Sequence, residues 1–306
     1  MTKDSELLCP AGVAELPYSE RQLIVIVPDD VKKTELEAMQ KARQEESKDK
    51  SISWWNSAID AIALIAPRIT VYGLGVEFVV GIYKGIQKLR QKEINIRTVS
   101  YSDANGLVFP PGHPQKKCVY VGSPVDPLHY FSLADFHRMT LESKFTEIVN
   151  ILMALGAETI QAERVIGWGA EISANANAKV LSADDCGAST SRTNTTEKSF
   201  LFEANLNPDG NPQMPEKVAW YPFEPTWQMI SQGRLHHGLR NFALNVTYQE
   251  NYGITTDLNA SVKGEGLSIG GQFTEHQSTI WKITGQFSEQ GVKKADDHTT
   301  APTKHT

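Results

Sequence analysis

Cysteine is scarce in this chain and poorly placed for structural work. The three that occur, Cys9, Cys118 and Cys186, stand far apart with no C-x-x-C pair, so neither a zinc ribbon nor a disulfide framework is specified, and a reducing compartment fits. Long apolar runs are missing too. The richest stretch, Trp54 to Leu89, is divided by Asp60, Arg68 and Glu77 and broken at Pro67, short of the roughly 18 apolar residues of a spanning helix. Residues Met1–Glu6 are polar and acidic with no apolar h-region, so no secretory signal is read and the chain is expected in the cytoplasm. The N-x-S/T sequons at Asn194, Asn245 and Asn259 are then expected to stay unmodified.

Motifs that announce chemistry are also lacking. No G-x-G-x-x-G follows a strand, and neither a P-loop nor a G-x-S-x-G elbow occurs, so phosphate cradles and the commonest hydrolase signal are excluded. The glycine-dense stretch Gly264, Gly266, Gly270 and Gly271 lies within strand patterning and reads as a turn and a bulge. Basic charge is in deficit, 30 residues against 36 acidic for a net −6, which argues against a chain that coats nucleic acid. The densest basic stripe, Lys84, Lys88, Arg90 and Lys92, reads as a solvated helix face. From motif and spacing we assign no catalytic, cofactor-binding or metal residues.

What is present is an ordinary globular balance, 40% hydrophobic and 22% charged residues. Its patterning divides the chain into a helical part with short strands over 1–156, an antiparallel β part over 157–289 and a polar tail over 290–306, and the length allows two domains or one integrated domain. In the first part the run Leu23–Val27 reads as a buried strand. Helices are predicted over 34–48 (largely solvent-facing, anchored by Leu36 and Met39), 53–66, 70–92 and 133–155, the last capped by Ser132 and stopped by Gly156. Gly81 and Gly85 form a G-x-x-x-G that would let a neighbouring helix approach. Short strands are predicted over 97–101 and 117–122, with the exposed loop Pro110–Pro114 between them.

Beyond Gly156 the hydrophobic period changes from helical to two. Ile160, Ala162, Ile166, Trp168, Ile172, Ala174, Ala176 and Ala178 share one face, interrupted by Arg164, while Gln161, Glu163, Glu171, Ser173, Asn175 and Asn177 take the other, predicting either an extended ribbon far longer than the usual strand of about five or six residues or two strands joined by a bend at Gly167 and Gly169. Phe200, Phe202, Ala204 and Leu206 supply its hairpin partner. The aromatic cluster Trp220, Tyr221, Phe223 and Trp227 leads into a helix near 225–238. Alternating stretches follow at Phe242–Tyr248, Ile254–Val262, Leu267–Phe273 and Trp281–Phe287, and are expected to form an antiparallel meander. The fold class so predicted is α+β, with a helical and short-strand half beside an antiparallel sheet of long amphipathic strands.

His129, Asp135 and His137 are the densest grouping suited to proton transfer, but Asp135 and His137 are two apart and so point to different sides of a helix. His236 and His237 likewise face two directions, and Asp184-Asp185-Cys186 sits in a polar loop. The alternating ribbon is the feature left over, because a strand that lines a pore shows one face to lipid and the other to water. A sheet with helices that can release hairpins is similar in plan, though not in any motif, to gasdermin-like and perforin-like pore formers. That likeness implies a hairpin over 159–207 that enters a membrane, with Ile166, Trp168, Ile172, Ala174, Ala176, Phe200, Phe202 and Leu206 as its apolar side. The functional expectation is a non-enzymatic interaction or assembly protein, without cofactor, whose partner is a protein or a second copy recruited by a sheet edge or the Pro110–Pro114 loop, with the membrane as a further target. The alternative is an enzyme with a site near His129 and His137.

Overall fold

The structure, a computed structural model, describes residues 12–44, 58–63, 76–168, 200–208 and 210–289. The chain is α+β, with two four-stranded sheets in separate compact units. Residues up to Thr140 together with Asn251–His276 make the first unit, and Leu141–Glu250 with the chain from Gln277 onward make the second.

The first sheet has the order β2-β1-β3-β4, built from β1 (Leu23–Val27), β2 (Arg97–Ser100), β3 (Val119–Gly122) and β4 (Tyr130–Ser132). β1 runs parallel to β2 and antiparallel to β3, which pairs antiparallel with β4. Leu23, Val25 and Val27 enter one core with Val79, Ile82, Ile86 and Leu89, while Ile24 and Ile26 enter another with Cys118, Tyr120 and Tyr130. Burial on both faces is why β1 reads as an unbroken apolar run rather than an alternation. Helices α1 (Tyr18–Arg21), α2 (Asp29–Gln44), α3 (Val76–Gln91), α4 (Tyr101–Ala104) and a helical stretch over 58–63 also belong to this unit. Residues 45–48, 53–57, 64–66 and 70–75 of the predicted helices, and the polar tail from 290, lie outside the described residues.

α2 begins at Asp29, five residues before the predicted start at Thr34. Asp29 and Asp30 occupy its first turn, where carboxylates favour the exposed amide ends of a helix. Nor is it solvent-facing throughout: Val31 and Glu35 are buried, whereas Leu36 and Met39 are half-buried. α5 spans Phe136–Ala154, starting three residues after the predicted Leu133 because Ser132 ends β4 and its hydroxyl accepts from the Asp135 amide in a turn. Gly156, with φ of 80°, follows its end as predicted.

The second sheet has the order β6-β5-β8-β7, antiparallel throughout, from β5 (Ala157–Ile166), β6 (Phe200–Asn205), β7 (Asn241–Tyr248) and β8 (Thr279–Phe287). The predicted pairing of β5 with β6 is present, Ala162 facing Phe202. The Phe145 ring of α5 sits edge-on to Trp281 at 5.0 Å and to Phe202 at 5.9 Å, covering the apolar face. α6 (Pro225–His237) ends at Gly238 in the left-handed region.

One expectation fails. The stretch Ile254–Val262 is not a strand: α7 spans Thr256–Gly264, capped by the Thr255 hydroxyl, which accepts from the Leu258 amide. Leu267–Phe273 forms no strand either, only an isolated bridge of Ser268 to Cys118. Leu258 and Val262, four apart, fall on one side of α7, and with Ile254, which precedes the cap, they enter the first unit's core beside Leu267 and Ile269. The β part over 157–289 is therefore interrupted, and the chain between β7 and β8 belongs to the first unit.

Candidate functional site

Ligands of sheets with parallel strands gather outside the carboxyl ends of those strands, which here are Val27 and Ser100. Asp29 accepts from the Ser102 amide at 2.9 Å and hydroxyl at 2.6 Å, and these bonds hold its carboxyl below the ordinary range. Ser100 caps α4 by accepting from the Asp103 amide at 3.0 Å, and its hydroxyl donates to the Asp103 carboxylate at 2.6 Å. All four side chains are engaged in closing loop and helix ends. Deeper in, the Glu35 carboxylate accepts from Thr98 Oγ1 at 2.6 Å, Tyr83 Oη at 2.8 Å and Lys32 Nζ at 3.1 Å. Burial pushes Lys32 down and Tyr83 well up from their usual values, with the Glu35 charge opposing the first shift and adding to the second. Sequence gave no sign of this network, because its members lie far apart along the chain and each alone reads as a surface residue or a core aromatic.

The histidines are dispersed among separate partners. His129 Nδ1 lies 2.8 Å from the Asp126 carboxylate in an exposed turn. His113 Nδ1 lies 2.7 Å from the Tyr120 hydroxyl, which also takes the Gln115 amide. Burial pushes the neighbouring Cys118 thiol up to about 11, a setting that keeps it protonated and unreactive. His137 is wholly buried among Phe136, Phe273 and His276, and its Nε2 donates to the Ile254 carbonyl at 2.7 Å. Among the described residues, no group of three His, Cys, Asp or Glu is disposed to hold a metal ion.

Burial, outweighing the bond to Ile254, lowers His137 from 6.5 to about 4. Between these values the unfolded chain binds more protons than the folded one, so stability is complete above pH 6.5 and falls as pH drops toward about 4. The loss is about 3 kcal/mol. Urea titrations of the native chain and of His137→Gln at pH 7 and pH 4 test this: the native midpoint is expected to fall more steeply, and equal slopes would remove His137 from the account.

The second unit gathers the residues that the ribbon prediction singled out. Beyond the buried Ile160 and Ala162, Val165 and Ile166 emerge into solvent, 55% and 47% exposed. Trp168 stacks on Tyr248 with ring centroids 6.1 Å apart, its carbonyl accepts from the Trp281 indole at 2.8 Å, and its amide donates to Thr279 Oγ1 at 3.2 Å. Tyr248, Thr279 and Trp281 thus close this end of the sheet, a role their positions on distant strands concealed. Phe202 is buried, Leu206 is half-buried with its amide bonded to the Glu158 carbonyl at 2.7 Å, and Phe200 opens β6. Ile172, Ala174 and Ala176 lie outside the described residues. Elsewhere, Gly81 faces open space, whereas a Cβ on Gly85 would meet the Glu265 carbonyl at 2.7 Å, so what approaches α3 there is the turn after α7. Lys88 and Lys92 of the basic stripe both pair with Glu265.

Strand directions and edges decide what this sheet can do. Its neighbours alternate in direction from β6 through to β7, so the two outer strands run opposite ways. β5 pairs Ile166 with Ile280, and β7 pairs Tyr248 with Thr279, so the β5–β6 and β7–β8 connections leave the same end. The Phe287 amide donates to the Arg240 carbonyl; with the antiparallel alternation this turns the backbone of Asn241, Ala243, Asn245 and Thr247 outward. Lys144 already reaches the Thr247 carbonyl at 2.9 Å. These four residues carry no charge, and among the described residues no strand pairs with this edge. No family model, curated protein or solved structure matches the chain.

Proposed function

We propose that this chain is a non-enzymatic assembly protein that joins further copies of itself strand to strand through the second sheet, and acts on membranes through the 159–207 hairpin. The observation that carries this reading is the alternation of the four strands with both long connections at one end. A copy placed beside another in the same orientation sets β7 against the neighbour's β6 in the antiparallel sense, so the ladder continues and every connection stays on the same side. Head-to-tail joining of this kind closes into a ring when its rotation closes, and closure removes the exposed edges. The uncharged β7 edge supports such joining, since copies with a net −6 otherwise repel.

Among the described residues no helix is long and apolar enough to cross a membrane; the reading assigns that role to strands, which need about 9–11 residues. Edge joining and membrane action are tested together on phosphatidylcholine–phosphatidylglycerol vesicles loaded with dye, at pH 7 and at about pH 5, where uptake of protons by buried histidine loosens the first unit. Dye release with cross-linked multimers is expected. Ala243→Pro, which removes an outward amide from the edge while leaving the pairing with β8, is expected to lower both at least about tenfold. Sealed vesicles under both conditions would refute the membrane part, and undiminished multimers in the proline variant would refute the edge.

A further inference from the structure

The connection between β7 and β8 fits two folds at once. As a helix, α7 buries Leu258 and Val262 and exposes Thr256 and Ala260, with Ile254 buried just ahead of its cap. The same residues also alternate with period two: Ile254, Thr256, Leu258, Ala260 and Val262 against Thr255, Asp257, Asn259, Ser261 and Lys263, then Leu267, Ile269, Gly271 and Phe273 against Ser268, Gly270, Gln272 and Thr274. This second pattern continues the sheet. β7 buries Phe242, Leu244, Val246 and Tyr248, and β8 buries Thr279, Trp281, Ile283 and Phe287, so each strand carries its apolar parity unchanged into the connection.

Register gives an independent check. β7 and β8 pair without a slip from Asn241↔Gln286 to Tyr248↔Thr279. Carried onward, that register sets Ile254 against Phe273, Leu258 against Ile269 and Ala260 against Leu267, and closes on Lys263-Gly264 as a two-residue turn. Two-residue turns are the commonest hairpin closures, and glycine suits their demand for positive φ. The charged Lys263 and Glu265 fall at the tip, polar Gln249–Asn251 and Thr274–Ser278 form a collar at the sheet, and nine residues, Ile254–Val262, lie between. Nine residues of extended chain span about 30 Å, the thickness of a bilayer's apolar core.

We propose that residues 249–278 are a second membrane-entering hairpin, stored as α7 in the first unit, which extends β7 and β8 in their existing register when the chain meets a lipid bilayer. This rests on the membrane reading above and adds a second insertion from the same end of the sheet. Hydrogen bonds to the backbone of the segment hold it in storage: His137 Nε2 donates to the Ile254 carbonyl and Gln22 Nε2 to the Tyr252 carbonyl, the Ala134 amide to the Ile269 carbonyl and the Thr274 amide to the Ala134 carbonyl, while Ser268 accepts from the Val119 amide and donates its own to the Lys117 carbonyl, both at 2.9 Å. Around His137 the groups that titrate or carry charge near the segment are His276, whose ring lies 5.2 Å away, with Glu275 bonded to Thr256 and Glu265 to Lys88 and Lys92.

Ala260 separates the two folds, being exposed on the helix and lipid-facing in the hairpin. In the full chain, Ala260→Lys is expected to keep the helical circular dichroism and thermal midpoint of the native protein at pH 7, yet to slow dye release from the same vesicles at least about tenfold, as a charge at mid-bilayer should. Met229→Lys, which adds the same charge on the exposed side of α6, is expected to leave release unchanged. Single cysteines at 257 through 262, each carrying a polarity-sensitive fluorophore in a chain with Cys9 and Cys186 replaced by serine, report the conversion directly. Position 260 is expected to shift to the blue on vesicles, 258 and 262 to stay in apolar surroundings in both states, and 257, 259 and 261 to stay aqueous. Native release with equal release by Ala260→Lys, or a fluorescence profile of helical period, overturns the stored hairpin while leaving the membrane reading intact. Vesicles that stay sealed to the native chain, with no shift at any position, overturn both.

Discussion

Glu35→Ala is expected to destabilise the first unit by about 3–5 kcal/mol, the range for removing one partner of a buried ion pair. Its carboxylate is the acceptor shared by Lys32, Tyr83 and Thr98, and its side chain is only 3% exposed. Alanine leaves the Lys32 ammonium in a setting that already lowers its proton affinity by burial, with Arg90 and Arg97 adding to the strain. The direction with pH follows. A lysine depressed in the folded state binds fewer protons there than in the unfolded chain, so stability rises with pH up to its ordinary value near 10.5. Urea unfolding of the variant should therefore recover part of its loss between pH 7 and pH 9.5, where Lys32 can shed its proton. Lys32→Met in the same background is expected to restore stability further by removing the stranded charge. A variant within about 1 kcal/mol of the native chain at pH 7 would mean that water reaches the network.

Why that network was hidden, and other features were plain, comes down to what a single sequence encodes locally. β1 was legible because five consecutive apolar residues ended by Pro28 admit little else, and α5 because its period is long and Gly156 stops it. The hairpin of β5 and β6 was legible from alternation on both strands. Glu35 was not, since a carboxylate inside a charged helix reads as solvated until Tyr83 and Thr98 arrive from elsewhere in the chain. α7 misled for a sharper reason. Its apolar residues satisfy spacing four and spacing two together, so periodicity could not choose, and the Thr255 cap and the first unit's core made the choice. Of the candidate surface, Ile166 and Trp168 were visible as parts of the ribbon. The partners that hold Trp168, namely Tyr248, Thr279 and Trp281, come together only through strand order.

The second sheet has its own point of least tolerance, at the seam where one hairpin meets the other. Gly285 on β8 pairs with Ile160 of β5 and Phe242 of β7. A Cβ there would lie 1.9 Å from the Thr159 carbonyl oxygen and 2.5 Å from the Phe242 ring. The ring can turn aside, but the carbonyl belongs to the backbone of β5 and moves only if the strands part. Gly285→Ala is therefore expected to cost about 3 kcal/mol, the upper end for overpacking, although alanine otherwise suits a strand no worse than glycine. Amide exchange should quicken along β5 and β8 while β1 and β3 keep their protection. Gly264→Ala, where no atom lies within 4 Å of the added carbon, is the matched control and should stay within about 1 kcal/mol of the native chain. Because β5 and β8 join the two hairpins, loss of this seam should also abolish strand-to-strand multimers. A Gly285→Ala chain that melts with the native protein and still assembles would show that the seam yields without cost, and that the hairpins join further copies independently of each other.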